Sequence, residues 1–233
     1  IVFQGPPGTG KTFIAQNLSK YLISETTGFS ELIQFHPSYS YEDFIQGLRP
    51  KVVDGDITYE MQKGRFREFC KIANETDSHC VLILDEMNRA NLSRVFGELM
   101  YLFEYRDQEI SLAAGGEKFK IPDNVIIIGT MNTADRSIAL VDHALRRRFS
   151  FFRINTNYEI LEKKLNENNL PDSLIKALRF VNKEISNQNY EVGISFFMKI
   201  NQKIDLKDIW KYEIEPYLDE YFFDDENKFK ELT

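Results

Sequence analysis

Cysteine is scarce in this chain of 233 residues, where only Cys70 and Cys80 occur. With His79 beside the second of them, no four-ligand zinc spacing can be assembled, and so sparse a thiol content fits a reduced cytoplasm. Long apolar runs are also missing. None approaches the ~20 residues of a membrane span, so no membrane segment is expected. Positive charge is not in excess: 29 Lys and Arg face 36 Asp and Glu, a net charge of −7. That balance argues against tight DNA binding by this segment alone through phosphate neutralisation, and any DNA contact is expected mainly outside this chain. There is no repeat, no low-complexity tract, no initiator Met and no signal peptide. With residue 1 already in a strand, the chain is expected to be a piece of a longer polypeptide. What is present, 42% hydrophobic and 28% charged residues, is the composition of a soluble globular protein, long enough to bury roughly 70–75% of the surface its unfolded form exposes.

The first strong signal lies almost at the start. The apolar run Ile1-Val2-Phe3-Gln4 leads into Gly5-Pro6-Pro7-Gly8-Thr9-Gly10-Lys11-Thr12, a complete G-x-x-x-x-G-K-[ST] loop. Its glycines let backbone N–H groups converge on phosphate oxygens, Lys11 reaches the β- and γ-phosphates, and the Thr12 hydroxyl suits Mg²⁺. Ile14, Leu18 and Leu22 recur at helical spacing behind Phe13, so bound phosphate would sit at a helix N-terminus. Gly5, Pro6, Pro7, Gly8, Thr9, Gly10, Lys11, Thr12 and Phe13 are therefore the expected nucleotide-binding residues, with GTP or ATP as the substrate.

Apolar runs of strand length follow at Leu32 to Phe35, Val81 to Leu84, Val125 to Ile128 and Phe149 to Ile154, with helical periodicity in most gaps. Leu92, Val95, Phe96, Leu99, Leu102 and Phe103 predict one amphipathic helix, and Phe66, Phe69, Cys70 and Ala73 another. Strands alternating with helices imply a parallel sheet covered on both faces. Val52 to Ile57, with its Asp-Gly pair, and Ile110 to Ile121, turning around Gly115-Gly116, predict hairpins. They are either ordinary surface loops or projections toward a partner. After Ile154 the pattern is helical: Tyr158 to Asn168, Asp172 to Ser186, a short piece near Ser195, and Leu206 to Phe222. On the last of these Tyr212, Tyr217, Tyr221 and Phe222 read as a packed face.

Three further positions carry chemistry. Val81-Leu82-Ile83-Leu84 delivers Asp85 and Glu86 at a strand's C-terminal end, where open α/β sheets bind ligands. Asp85 suits the Mg²⁺ shell and Glu86 the polarisation of an attacking water. A second apolar strand ends at Asn132, whose amide is either a turn residue or a neutral donor to a γ-phosphate. Arg146-Arg147-Arg148 is either a solvated face or a source of a guanidinium for another subunit's γ-phosphate, an effect worth about 10³ to 10⁵ in rate.

With these anchors in order, the chain resembles the AAA+ superfamily. Four stretches are similar to the motor subunit of McrBC-type modification-dependent restriction systems: Phe35 to Phe44, Leu84-Asp85-Glu86-Met87-Asn88-Arg89-Ala90, Met131-Asn132-Thr133-Ala134-Asp135-Arg136-Ser137 and Ala144-Leu145-Arg146-Arg147-Arg148-Phe149. The resemblance implies an α/β AAA+ P-loop core with a five-stranded parallel sheet over residues 1–153, then a small all-helical lid over residues 154–233. By position it makes Lys11 and Thr12 phosphate and Mg²⁺ ligands, Asp85 and Glu86 the Walker B pair, Asn132 the first sensor, and Arg147 or Arg148 a finger acting in trans. It further implies a homo-oligomeric ring, usually a hexamer, a nuclease partner of the McrC type, and a role for Asp135 and Arg136 at the subunit boundary. Gly193 to Met198 lacks the arginine that many such lids offer as a second sensor, so either Ser195 and the backbone substitute for it or the lid senses nucleotide less directly. The Asn-Lys-x-Asp guanine code is absent as well, since Asn182-Lys183 and Asn227-Lys228 continue differently. GTP and ATP both stay open, as do an ATP-driven remodelling chaperone of the MoxR kind and a nucleotide-gated scaffold with little turnover.

Overall fold

Cys80–Asp85 is buried at every position, as a parallel strand flanked by strands on both sides and covered on both faces must be. The computed structural model that shows this describes residues 1–53, 55–113, 115–135, 143–198 and 203–232. In chain order the first elements are β1 (Val2–Gly5), α1 (Lys11–Ile23), β2 (Ser30–Gln34), α2 (Tyr41–Phe44), β3 (Gln46–Val53), β4 (Asp56–Lys63), α3 (Arg65–Ala73) and β5 (Cys80–Asp85). They are followed by α4 (Leu92–Phe96), α5 (Leu99–Glu104), β6 (Ile110–Ser111), β7 (Lys118–Phe119), β8 (Val125–Asn132), α6 (His143–Arg148) and β9 (Phe151–Arg153). The main sheet has five parallel strands in the order β2-β5-β8-β1-β9. Pairing sets Gln34 opposite Asp85 and Leu84 opposite Gly129, so β2 and β5 end level while β8 runs on to Asn132. The fold class expected from the sequence is the one observed.

The chain divides into two compact units. One comprises Ile1–Phe3, Thr12–Met131 and Asp135–Phe152, the other Gln4–Lys11, Asn132–Ala134 and Arg153–Thr233. The first is organised around aromatic rings. Phe44 stacks on Phe66 with centroids 4.9 Å apart, and Phe96 meets Phe103 edge-on at 5.1 Å. All but Phe103 are fully buried. Such pairs add about 0.5–1.5 kcal/mol each beyond the area they bury. Both expected hairpins form: β3 pairs antiparallel with β4, setting Val52 opposite Ile57, and β6 pairs with β7.

The single helix expected over Leu92 to Phe103 is instead two. α4 stops at Gly97, whose φ of 48° and ψ of −128° suit glycine alone. A Cβ there would lie 3.1 Å from the Tyr41 ring. Tyr41 fixes the break, because its hydroxyl donates to Glu98 Oε1 at 2.6 Å and the same oxygen accepts from the Ala113 N–H at 2.9 Å. Apolar periodicity could not show this, since the interruption is set by a residue far away in sequence.

The second unit contains α7 (Tyr158–Glu167), α8 (Ser173–Ile185), a 3₁₀ turn at Ile194–Phe197, α9 (Lys203–Ile209), a π-helical turn at Trp210–Ile214, α10 (Glu215–Tyr221) and α11 (Glu226–Leu232). Leu174, Leu178, Val181 and Ile185 form one buried stripe of α8, packed with Leu161, Leu165, Phe197, Ile214 and Leu218. Asn157 starts α7 by accepting from the Glu159 and Ile160 N–H groups at 3.1 and 3.3 Å, a side-chain cap that satisfies otherwise orphaned donors. The tyrosine face is confirmed only in part. Tyr217 and Tyr221 donate to the carbonyls of Tyr190 and Ile185 at 2.7 and 2.6 Å, but Tyr212 is 67% exposed. The π turn holds extra residue per turn, so positions on its two sides no longer share a face at α-helical spacing. Among the described residues no helix is long and apolar enough to cross a membrane.

Tyr41→Phe removes the donor to Glu98 and should lower unfolding stability by about 1–2 kcal/mol, read as a lower urea midpoint at constant slope. An unchanged midpoint would mean that Gly97 breaks the helix without Tyr41.

Candidate nucleotide site

The P-loop forms because Gly5 to Gly10 cannot continue a strand and Lys11 opens α1, leaving the helix's first N–H groups pointing at the loop. The loop is tightened from within. Thr9 Oγ1 donates to the Pro6 carbonyl at 3.0 Å, and Lys11 Nζ donates to the same oxygen at 2.7 Å. Thr9 and Lys11 are both buried, each 7% exposed. The ammonium is thus already held over the loop, where it can exchange a carbonyl for a phosphate oxygen.

The loop is also held from the lid segment. Gly193 N–H donates to the Pro7 carbonyl at 3.0 Å, and Ser195 N–H donates to the Gly8 carbonyl at 2.7 Å. A Cβ on Gly193 would collide with the Gly8 carbonyl group, so only glycine permits this approach. Phe196 covers the loop from the same side, its ring 2.7 Å from where a Gly8 Cβ would stand.

Asp85 ends β5 and is 8% exposed. Its Oδ1 accepts from Thr12 Oγ1 at 2.7 Å and from Thr130 Oγ1 at 2.7 Å. Thr130 Oγ1 in turn accepts from the Glu86 N–H at 3.1 Å. A hydroxyl and a carboxylate side by side are the hard oxygen donors that Mg²⁺ takes, usually with phosphates and water completing its shell. The donor set therefore fits the expected ion. Among the described residues no group of three or more His, Cys, Asp or Glu forms a metal site of its own.

Glu86 adopts a left-handed backbone, φ 53° and ψ 43°, sparsely populated for a residue with a side chain and costing of order 1–3 kcal/mol. It turns the chain between β5 and the 3₁₀ turn Met87–Arg89. Its Oε2 lies 3.6 Å from Arg89 Nε, and Arg89 Nε lies 3.4 Å from Asp135 Oδ2. Arg89 links the two acids.

Asn132 Oδ1 accepts from the Ala134 N–H at 3.2 Å, closing the turn that ends β8. The next residue, Thr133, donates its N–H to the Gly5 carbonyl at 3.0 Å and its hydroxyl to the Asn189 carbonyl at 3.0 Å. The three arginines differ. Arg146 lies over the Phe151 ring at 5.3 Å. Arg148 pairs with Glu104 at 2.9 Å and its side chain is 18% exposed. Arg147 is exposed. Phe13 is 69% exposed on the first turn of α1. Arg136 and Ser137 lie outside the described residues.

Sequence reasoning missed Thr130 and Arg89. Thr130 is a lone hydroxyl in an apolar strand and fully buried, a signal only once it is known what it faces. Arg89 stands three residues after Glu86, a spacing that places the two side chains together on a helical turn.

Comparison with known proteins follows the same order along the chain. The family described as AAA domain (dynein-related subfamily) matches residues 1–149, and the McrB α-helical lid domain matches residues 173–230. The type IV methyl-directed restriction enzyme EcoKMcrB subunit of Escherichia coli (strain K12) is 41% identical over 100% of this chain and 56% of its own length. The type II restriction enzyme BsuMI component YdiS of Bacillus subtilis (strain 168) is 28% identical over 64% of this chain and 55% of its own length. A solved structure from Cytophaga hutchinsonii aligns over 96% of this chain and 58% of that chain, at a TM-score of 0.46 and 19% identity. The chain thus spans about half the length of the curated relatives it matches. It belongs to the AAA domain family, dynein-related subfamily, and is of the McrB type with a McrB-type lid.

Proposed function

We propose that this chain is a nucleoside triphosphatase, cleaving the β–γ phosphoanhydride of GTP or ATP as the motor of a McrB-like restriction system in the cytoplasm. Residues 1–153 are its catalytic core and residues 154–233 its lid. The observation that carries this reading is the convergence of the Thr12 and Thr130 hydroxyls on Asp85 Oδ1, with Glu86 next in the chain and tied to Thr130 through its N–H.

The roles follow from chemistry. Backbone N–H groups of Gly8 to Thr12 and the Lys11 ammonium neutralise phosphate oxygens at the start of α1. Thr12 and Asp85 would hold Mg²⁺, which would supply charge neutralisation on the β- and γ-phosphates. Glu86, partly buried with its side chain 22% exposed, accepts a proton from the attacking water, and Arg89 fixes the carboxylate's direction. Asn132 supplies a neutral amide at the γ-phosphate. Phe13 flanks the bound nucleotide on the first turn of α1. Arg148 is engaged with Glu104, so Arg147 is the better finger for a neighbouring protomer and Arg148 its support. This arrangement requires a ring of copies, with six as the stoichiometry to test. A nuclease subunit, upstream segments that read DNA, and Asp135 and Arg136 at the subunit boundary complete the machine. The MoxR-like and scaffold alternatives have no observation of their own in favour, and a buried magnesium-type pair followed by a water-polarising carboxylate is superfluous for a scaffold.

Glu86→Gln should bind nucleotide as the parent does while phosphate release falls about 10²- to 10⁴-fold. Release at the parental rate would remove Glu86 from the reaction. Arg147→Ala alone should lose about 10³-fold or more. An equimolar mixture of the two variants should then recover about a quarter of parental activity, because a random ring pairs an intact glutamate with an intact neighbouring arginine at that frequency. A mixture no more active than its parts would contradict a finger acting in trans.

A further inference from the structure

The segment Asn189 to Ser195 touches several parts of its unit at once, mostly through main-chain atoms; the Tyr190 carbonyl, for one, accepts from Tyr217 of α10 at 2.7 Å. At one end the Asn189 carbonyl accepts from Thr133 Oγ1 at 3.0 Å, one residue after Asn132. In the middle, the Val192 peptide is gripped on both sides by Asn182 of α8. Val192 N–H donates to Asn182 Oδ1 at 2.7 Å, and Asn182 Nδ2 donates to the Val192 carbonyl at 3.0 Å. Asn182 is 7% exposed, and its amide also donates to the Tyr158 hydroxyl of α7 at 2.8 Å. At the other end, Gly193 and Ser195 donate to the carbonyls of Pro7 and Gly8 in the P-loop.

Each link is short and sits where slack is small. The absent Cβ of Gly193 brings the two backbones into direct contact, so a shift of the Pro7 and Gly8 carbonyls must move Gly193 or break the hydrogen bonds they accept. Asn182 is a buried amide whose oxygen and nitrogen both bind the Val192 main chain, and leaving either unpaired costs about 1–3 kcal/mol. A displacement at Gly193 is therefore passed to α8 and α7 rather than absorbed. The segment contains no arginine.

We infer that Asn189–Ser195 is a strap through which occupancy of the P-loop reaches the lid helices by way of main-chain hydrogen bonds. The inference rests on the nucleotide-binding reading above. In it, Gly193 and Asn182 are positioning residues. Gly193 couples the strap to the loop, and Asn182 couples the strap to the lid.

Hydrogen exchange of the full chain, with and without Mg–GTP and Mg–ATP, tests this, with binding followed separately by equilibrium dialysis. Nucleotide should slow exchange at least tenfold at the Gly193 and Ser195 amides and also in residues 178–185 of α8. In Asn182→Ala the response at Gly193 and Ser195 should persist while that of α8 is lost, a split that general destabilisation would not produce. Gly193→Ala should weaken nucleotide binding at least tenfold and abolish both responses. Nucleotide that binds by dialysis and leaves the Gly193 and Ser195 amides unchanged would overturn the strap in the parent chain alone, whether or not either variant folds. An α8 response in Asn182→Ala equal to the parent's would overturn the assignment of Asn182. Failure of both nucleotides to bind would overturn the nucleotide reading and the strap with it.

Discussion

One carboxylate oxygen, Asp85 Oδ1, holds the first unit's chemistry in place. It lies buried at the end of a fully buried strand and accepts two hydroxyl protons, one from the first turn of α1 and one from β8. A buried carboxylate left without partners would cost several kcal/mol. The two threonines therefore stabilise the charge while Asp85 fixes the start of α1 and the end of β8 relative to β5. Because the Thr130 hydroxyl also accepts from the Glu86 N–H, the same cluster fixes the point at which the chain leaves the sheet. The left-handed turn at Glu86 is sustained there, and strain at that position is spent on directing a carboxylate rather than on packing.

The second unit solves a different problem, that of keeping a glycine-rich loop in one shape. Such a loop has high conformational entropy and few side chains to order it. Three sources supply order: the Thr9 and Lys11 bonds to the Pro6 carbonyl, the Thr133 bond to Gly5, and the strap from the lid segment. The lid core, built on the Leu174 to Ile185 stripe, gives the strap something rigid to pull against. Packing in the lid segment and the conformation of the loop are thereby linked within one unit.

Much of this was legible in the sequence, for reasons that also explain what was not. That the glycine-rich loop at Gly5 to Gly10 opens a helix and that Asp85 ends a strand could be read because an apolar run of strand length leads into each. The strands could be read because a parallel strand covered on both faces is a short apolar run. The break at Gly97 could not, because it depends on Tyr41 and Glu98 meeting across the fold. Tyr212 was misplaced because a π turn shifts the helical phase. The strap's partners could not be read, since a main-chain hydrogen bond does not select a side chain; Gly193 and the missing arginine are the only marks it leaves in the sequence. The arginine run illustrates both sides: its position was visible, but which guanidinium is engaged by Glu104 or Phe151 required the tertiary contacts.

On the proposed reading this chain carries part of a hydrolytic site completed by another copy of itself. Phosphate release per protomer, measured with Mg²⁺ and with GTP and ATP in parallel across a wide range of protein concentration, tests it most directly. Turnover should rise with concentration to a plateau for at least one of the two nucleotides and vanish when Mg²⁺ is chelated. Turnover that is constant from the most dilute sample upward, or no release at any concentration with either nucleotide, would contradict it.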